Sequence, residues 1–271
     1  MNVGMRKWAL VAVALLGAST PAGAWGPHGH EIISKLAETR LTPKAKAAIR
    51  ELLDEGDTLV SICNWADREG HDAVPASAPW HYVNVPLSAD RFEDRFCPEK
   101  GCVVSKIRDF RKVLAVRDAP RKERRRALLF LVHFVEDLHQ PLHVGHNNDR
   151  GGNLTQVRFL NQERGTNLHR VWDSSLLDHE GRDRQAWVAA LSELATPENV
   201  AEWSKGDVDD WATESLQAAR IAYAYPKGSA VPLGSGTKLG EDYVQVATPI
   251  VRKRLAQAGV RLANELNALF R

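Results

Sequence analysis

Missing from this sequence is the basic surplus that marks a chain built to grip a polyanion with its whole surface: 36 lysines and arginines face 34 aspartates and glutamates among 271 residues. Two of the basic residues, Arg6 and Lys7, lie in the N-terminal leader, so positions 25–271 hold 34 charges of each sign and no net formal charge. A broad surface field is therefore excluded as a means of binding nucleic acid. If a polyanion is handled, the positive charge must come from elsewhere, and bound metal is the obvious source. Cysteine is sparse as well, with three in the chain. Cys97 and Cys102 flank a short Pro98-Glu99-Lys100-Gly101 turn, the spacing of a local disulfide in an oxidising compartment. Cys63 is left over in the apolar-periodic stretch around Ile62 and Trp65, where buried and inert is the expectation. Repeats of fixed period, low-complexity tracts and linkers are also lacking, which favours one domain.

What is present begins with a leader. Arg6 and Lys7 precede the apolar run from Trp8 to Leu16, and Ala22-Gly23-Ala24 forms a small-residue cleavage site. The expectation is a signal peptide over residues 1–24 and a secreted or periplasmic protein starting at Trp25. The competing reading, a membrane anchor, needs roughly 20 apolar residues, and this run is far shorter. No later stretch is apolar enough to span a bilayer. Residues 25–271 then suit a single large domain with a sizeable core.

Most of that length has helical periodicity. Thr42-Pro43 is an N-cap followed by proline at the first helical position, opening a helix towards Gly56. Asp118 to Arg121 opens another in the same manner, and Ala127, Leu128, Phe130, Leu131, Phe134, Val135 and Leu138 carry it to Pro141. Apolar on nearly every side, that helix should be central. Similar periodicity runs from Val103 to Val116, Leu168 to Leu177, Val208 to Tyr223 and Val244 to Leu269. The alternating stretch Leu154 to Leu160, followed by polar Asn161 to Gly165, predicts a small β-hairpin. The fold class is thus all-α with one hairpin. The only basic run, Arg121, Lys122, Arg124, Arg125 and Arg126, reads either as a solvated face or as a contact for a phosphate backbone.

Seven of the ten histidines fall between His71 and His169. His133 and Asp137 stand four apart in the central helix, which puts both on one face. An imidazole and a carboxylate in apolar surroundings are costly unless paired or metal-bound. His169 and Asp173 repeat the spacing, and His143 follows just past Pro141. Either pair alone could be a buried hydrogen bond; two pairs with further histidine nearby point to metal. Imidazole and carboxylate together suit zinc, and thiolates would be oxidised outside the cell. Trp25-Gly26-Pro27-His28-Gly29-His30 would begin the processed chain, where a free α-amino group can act as a nitrogen ligand beside His30. Asp67 and His81 add a carboxylate and an imidazole from separate segments.

Together these segments resemble the zinc-dependent single-strand-specific nucleases and 3′-nucleotidases of the S-one and P-one type and their plant relatives. The matching pieces are Trp25-Gly26 with His30, Trp65-Ala66-Asp67, His81-Tyr82, Leu131-Val132-His133-Phe134 with Asp137, Gln140-Pro141-Leu142-His143, Gly151-Gly152-Asn153, and Asn167-Leu168-His169 with Trp172-Asp173. The resemblance implies three zinc ions. Asp67, His81, His133 and Asp137 would hold the first; His143, His169 and Asp173 the second; the Trp25 amine and carbonyl, His30 and a shared Asp137 the third. Three aspartates against three divalent ions leave a local surplus of about three positive charges, which would answer the missing basic surplus. It further implies hydrolysis of single-stranded DNA and RNA to 5′-phosphates by a hydroxide shared between the first and third ions, with Asp67 orienting the attacking water, and action on nucleotides. Tyr82 matches the family's base-stacking aromatic, although core or rim packing would also account for it. Asn84 stands where fungal members have a carboxylate, which leaves base preference open. His28, His71, His139, His146 and His179 match no ligand; His139 and His146, nearest the site, could help bind substrate.

Two other readings compete. A bacterial zinc phospholipase C shares the expected fold and a similar ligand set, but its last ligand is a glutamate and it lacks the Asn167-Leu168-His169 context. A non-catalytic periplasmic zinc protein would need closed four-ligand sites, whereas the second and third sets here are open.

Overall fold

The computed structural model describes residues 25–227, 229 and 231–271; the leader expected at 1–24 lies outside them. No described helix is long and apolar enough to cross a membrane. The expected helices form with small shifts at their ends. Thr42 caps Pro43–Leu52, its Oγ1 accepting from the Ala45 N–H at 3.2 Å. Cys102 precedes Val103–Ala115, Asp207 caps Val208–Tyr223, and the longest helix is Glu241–Leu269. Asp118 does not cap the central helix: Pro120 occupies that position, and the helix is Arg121–Leu138. From Ala127 onward every residue of it is buried, as its all-round apolar pattern requires. Helices Pro27–Thr39, Arg184–Leu194 and Pro197–Trp203 were not among those expected, though Thr196-Pro197 repeats the Thr42-Pro43 signal, Thr196 Oγ1 accepting from the Asn199 N–H at 3.3 Å.

The hairpin forms between Gln156–Phe159 and Thr166–Asn167, antiparallel, with Val157 opposite Thr166. A third short strand, Lys238–Leu239, runs parallel along its other edge. A separate parallel pair joins Val85–Pro86 to Gly145–His146. It ties the segment after His81 to the turn that holds His143.

The core has two parts. One surrounds the central helix, where Phe110 stacks on Phe130 with ring centroids 5.1 Å apart. The other gathers Trp25, Ile32, Trp172, Trp187 and the inner face of Glu241–Leu269. The candidate ligands sit on elements from both parts, so the two packing units must meet correctly for them to converge. Part of the basic run is committed to the fold, while Lys122 and Arg126 stay exposed. Arg121 donates to the carbonyls of Glu51 and Leu53 at 2.9 and 2.6 Å, and Arg125 pairs with Asp54 at 2.7 Å. Arg121 thereby closes the C-terminal end of helix Pro43–Leu52, where exposed carbonyls favour a cation.

Candidate metal centre

Among the described residues three groups of donor atoms converge: Asp67, His81 and His133; His30, His133 and Asp137; and His143, His169 and Asp173. His133 and Asp137 link the first two. His133 Nε2 lies 3.3 Å from Asp67 Oδ1 and 3.3 Å from Asp137 Oδ2. His81 Nδ1 lies 3.4 Å from Asp67 Oδ1, 3.0 Å from Asp137 Oδ2 and 3.1 Å from His133 Nε2. A tetrahedron with zinc-ligand arms of about 2.0–2.1 Å has edges of about 3.3 Å. The five distances are of the size that ligands sharing one zinc ion would need. The other oxygen of Asp137 turns the opposite way, 3.5 Å from His30 Nε2. Both of those atoms are buried and have no hydrogen-bond partner, an arrangement that a cation between them would relieve.

The rings are locked from behind. His133 Nδ1 donates to the Cys63 carbonyl at 2.6 Å, His143 Nδ1 to the His81 carbonyl at 2.7 Å, and His169 Nδ1 to the Gly151 carbonyl at 2.6 Å. His30 Nδ1 faces Glu136 Oε2 at 2.5 Å. Holding the proton on Nδ1 leaves the Nε2 lone pair aimed into the cluster, the tautomer a metal needs. Burial, reinforced by neighbouring His133, holds the His30 imidazole down at about 3, hence neutral. Burial would raise the Asp67 carboxyl, but the charge and hydrogen bond of His133 prevail and hold it at about 2. For His133 burial favours the neutral ring, yet Asp137 and Asp67 draw a proton onto it well above the usual imidazole range. A site that pulls a proton this strongly is one that welcomes a metal cation in its place.

Both outer carboxylates sit in π-type turns, Asp67 in Ala66–Gly70 and Asp173 in Val171–Ser175. The expected single helix from Leu168 is therefore three pieces, Leu168–Arg170, the π turn and Leu176–Glu180, ending at Gly181 with φ +62°. Such widened turns re-aim a side chain without ending the helix and are frequent at functional sites.

Trp25 is fully buried, and the Gly26 N–H donates to the Asp173 carbonyl at 2.9 Å. This brings the segment that would begin a processed chain against the second donor group. A Cβ on Gly26 would lie 2.4 Å from Ser174 Oγ, so a larger residue would require that hydroxyl to turn away. Tyr82 is 41 % exposed beside His81. Along the extended 82–86 segment Tyr82, Asn84 and Pro86 face solvent while Val83 and Val85 are buried, the alternation of a strand. Cys97 and Cys102 form the expected disulfide, and Cys63 is free and buried.

His139 is not available to substrate. It is fully buried, donates from Nδ1 to the Val135 carbonyl at 2.7 Å, and accepts at Nε2 from Arg261 at 3.1 Å. Several supporting residues went unread in the sequence. Gln140 donates to Asp173 Oδ1 at 2.5 Å and accepts from the Leu142 N–H. Asp149 accepts from Thr155, from the Gly152 N–H at 3.0 Å and from Tyr223 at 2.7 Å. That network shapes the loop whose Gly151 carbonyl holds His169. Gly151 has φ +60°, and a Cβ there would lie 2.1 Å from the Leu142 carbonyl oxygen. Gln140 belongs to the Gln140-Pro141-Leu142-His143 segment, whereas Asp149 and Tyr223 carry no local signal.

Clustered imidazole and carboxylate donors, most accessible at Asp67 and braced by backbone carbonyls in a helical frame, are what a metal-dependent hydrolase requires. A family model described as S1/P1 Nuclease matches residues 25–271, and the chain belongs to that family. Endonuclease 2 of Arabidopsis thaliana is 38 % identical over 96 % of both chains. Nuclease S1 of Aspergillus oryzae is 27 % identical over 96 % of both, and nuclease P1 of Penicillium citrinum 28 % identical over 90 % of this chain and 97 % of its own. The chain is accordingly a nuclease, a hydrolase of phosphoester bonds.

Proposed function

We propose that this nuclease is a three-zinc phosphodiesterase that cleaves single-stranded DNA and RNA to 5′-phosphate products, and acts as a 3′-nucleotidase on nucleotides, outside the cytoplasm after removal of residues 1–24. Asp67, His81, His133 and Asp137 hold one zinc; His143, His169 and Asp173 a second; His30, Asp137 and the amine and carbonyl of Trp25 a third. The observation that carries this reading is Asp137, whose two oxygens face two different imidazole groups. Bound zinc supplies Lewis acidity and lowers the pKa of water to around 7. Asp67, the most open of the carboxylates at 28 % side-chain exposure, orients the attacking water and accepts its hydrogen bond. Tyr82 offers its ring face to an unpaired base, which a stacked duplex does not present. Asn84 meets the base edge with an amide, able both to donate and to accept.

The test is zinc content together with cleavage of denatured and duplex DNA, before and after chelation. Three ions per chain and cleavage of the denatured substrate, abolished by chelator and restored by zinc, are expected; a zinc-loaded chain that cleaves no phosphoester, or that hydrolyses lecithin instead, sinks the reading. Tyr82→Ala is expected to raise KM for single-stranded DNA about tenfold, since one stacked base contributes roughly 1–3 kcal/mol. Zinc content should not change. An extra residue kept in front of Trp25 turns the amine into an amide with no lone pair to give. Such a chain should hold two ions where the processed one holds three, which native mass spectrometry would count.

A further inference from the structure

Glu136 has no part in the ligand sets above, yet it is fully buried inside the central helix, next to Asp137. Its two oxygens meet two groups, His30 Nδ1 at 2.5 Å and Ser34 Oγ at 2.6 Å, and both come from helix Pro27–Thr39. No arginine or lysine lies among these partners. A carboxyl group buried this way, beside a second carboxylate, is costly as an ion, and a side chain that is always neutral would sit there more cheaply. Its presence is therefore not accounted for by stability.

We propose that Glu136 is the positioning residue of the third zinc site, fixing the His30 ring so that Nε2 points at Asp137 Oδ1 and strengthening that nitrogen as a donor. This rests on the three-zinc reading above. His133, His143 and His169 are braced by neutral backbone carbonyls. His30 is braced by a carboxyl group, which when ionised is the stronger acceptor and raises ligand basicity. The difference falls where it matters most. The third site has one imidazole and one shared carboxylate oxygen as its side-chain ligands, so its affinity depends on that single ring more than either neighbour depends on any of theirs. Ser34 completes the device: its hydroxyl binds the other oxygen of Glu136 and prevents the carboxylate from swinging away from His30.

The experiment is a zinc titration of the processed, full chain against a chromophoric competitor, with ions counted by native mass spectrometry, for the parent, Glu136→Gln and Glu136→Ala. Glutamine keeps an acceptor for His30 without the charge; alanine removes it. Affinity for the third ion should fall about tenfold in the glutamine variant and towards a hundredfold in the alanine variant, the range of such supporting partners, while the first two ions bind within twofold of the parent. The zinc-free glutamine variant should melt no lower than the zinc-free parent. If alanine prevents folding, the glutamine variant alone carries the test. Unchanged third-ion affinity in a parent that does bind three ions overturns the role of Glu136 alone, as does a uniform weakening of all three with a lower zinc-free melting point. A parent without a third ion overturns the three-zinc reading and this proposal together.

Discussion

If the protein holds the three zinc ions proposed, Asp137→Asn is expected to strip two of them and to lower kcat on single-stranded DNA by roughly 10³-fold or more, the scale on which removal of a central electrostatic group acts. Asp137 Oδ2 sits 3.0 Å from His81 Nδ1 and 3.3 Å from His133 Nε2, while Oδ1 faces His30 Nε2 at 3.5 Å. An amide has one oxygen and one NH2 group. Whichever way it turns, one of the two imidazole groups meets a donor where it had an acceptor. The remaining oxygen is neutral and a weaker ligand. Both the site with Asp67 and the site with His30 should therefore lose affinity, while His143, His169 and Asp173, whose group does not contain Asp137, should keep theirs. Metal analysis after dialysis at fixed free zinc decides it: loss of one ion only would show that Asp137 does not bridge.

The helical frame was legible because periodicity is local. The central helix, with apolar residues on every side, announced its own burial, and the four-residue spacing of His133 and Asp137 was enough to predict a shared face. The spacing of His169 and Asp173 gave the right neighbours for a partly wrong reason. Their segment is a π-type turn between two short α pieces, and no propensity marks such a widening. The ligand set itself came from resemblance, because convergence of Asp67, His81 and His133 is set by tertiary packing. The bracing residues lay furthest from view. His30 and Glu136 are 106 residues apart, Asp149 and Tyr223 74 apart, and a pairing over such distance leaves no pattern in a single sequence. Glu136 did carry one sign, a second acid beside Asp137 in the buried half of the helix, which is a buried polar residue needing an explanation. His139 shows the opposite trap. Sequence proximity to His143 suggested a substrate contact, but its position at the end of the helix turns it inward, onto Arg261.

That inward turn places His139 in a buried charge network, and Glu214→Ala there is expected to cost about 3–5 kcal/mol of stability, the range for breaking a buried ion pair by removing one partner. Glu214 accepts from Arg254 at 2.7 Å and, through both oxygens, from Arg261 at 2.6 and 2.8 Å. The two guanidinium groups are 3 % and 2 % exposed at the side chain. Without the carboxylate, two like charges remain side by side in the core, held only by neutral acceptors: the Trp203, Trp211 and His139 carbonyls, Ser215, Gln257 and the His139 ring. Glu214 itself is 35 % exposed, so water can enter the gap and the loss should fall towards the lower end. On a chain of this size that is a drop of roughly 10 °C in melting temperature, to be measured with zinc in fixed excess so that ligand binding does not vary between samples. Glu214→Gln, which keeps an acceptor, should lose less. The pH dependence follows from the same contacts. Burial would raise the Glu214 carboxyl, but the Arg261 hydrogen bond and the two guanidinium charges outweigh it and hold the group below its ordinary 4.5. A group depressed in the folded state stabilises above its unfolded pKa and loses that contribution as pH falls through the folded value. The gap between parent and Glu214→Ala should accordingly be widest at neutral pH and narrow as pH drops below about 4.5. A melting temperature that moves by less than about 2 °C at neutral pH would mean that the arginines find other partners. The end of the central helix would then be held without this network.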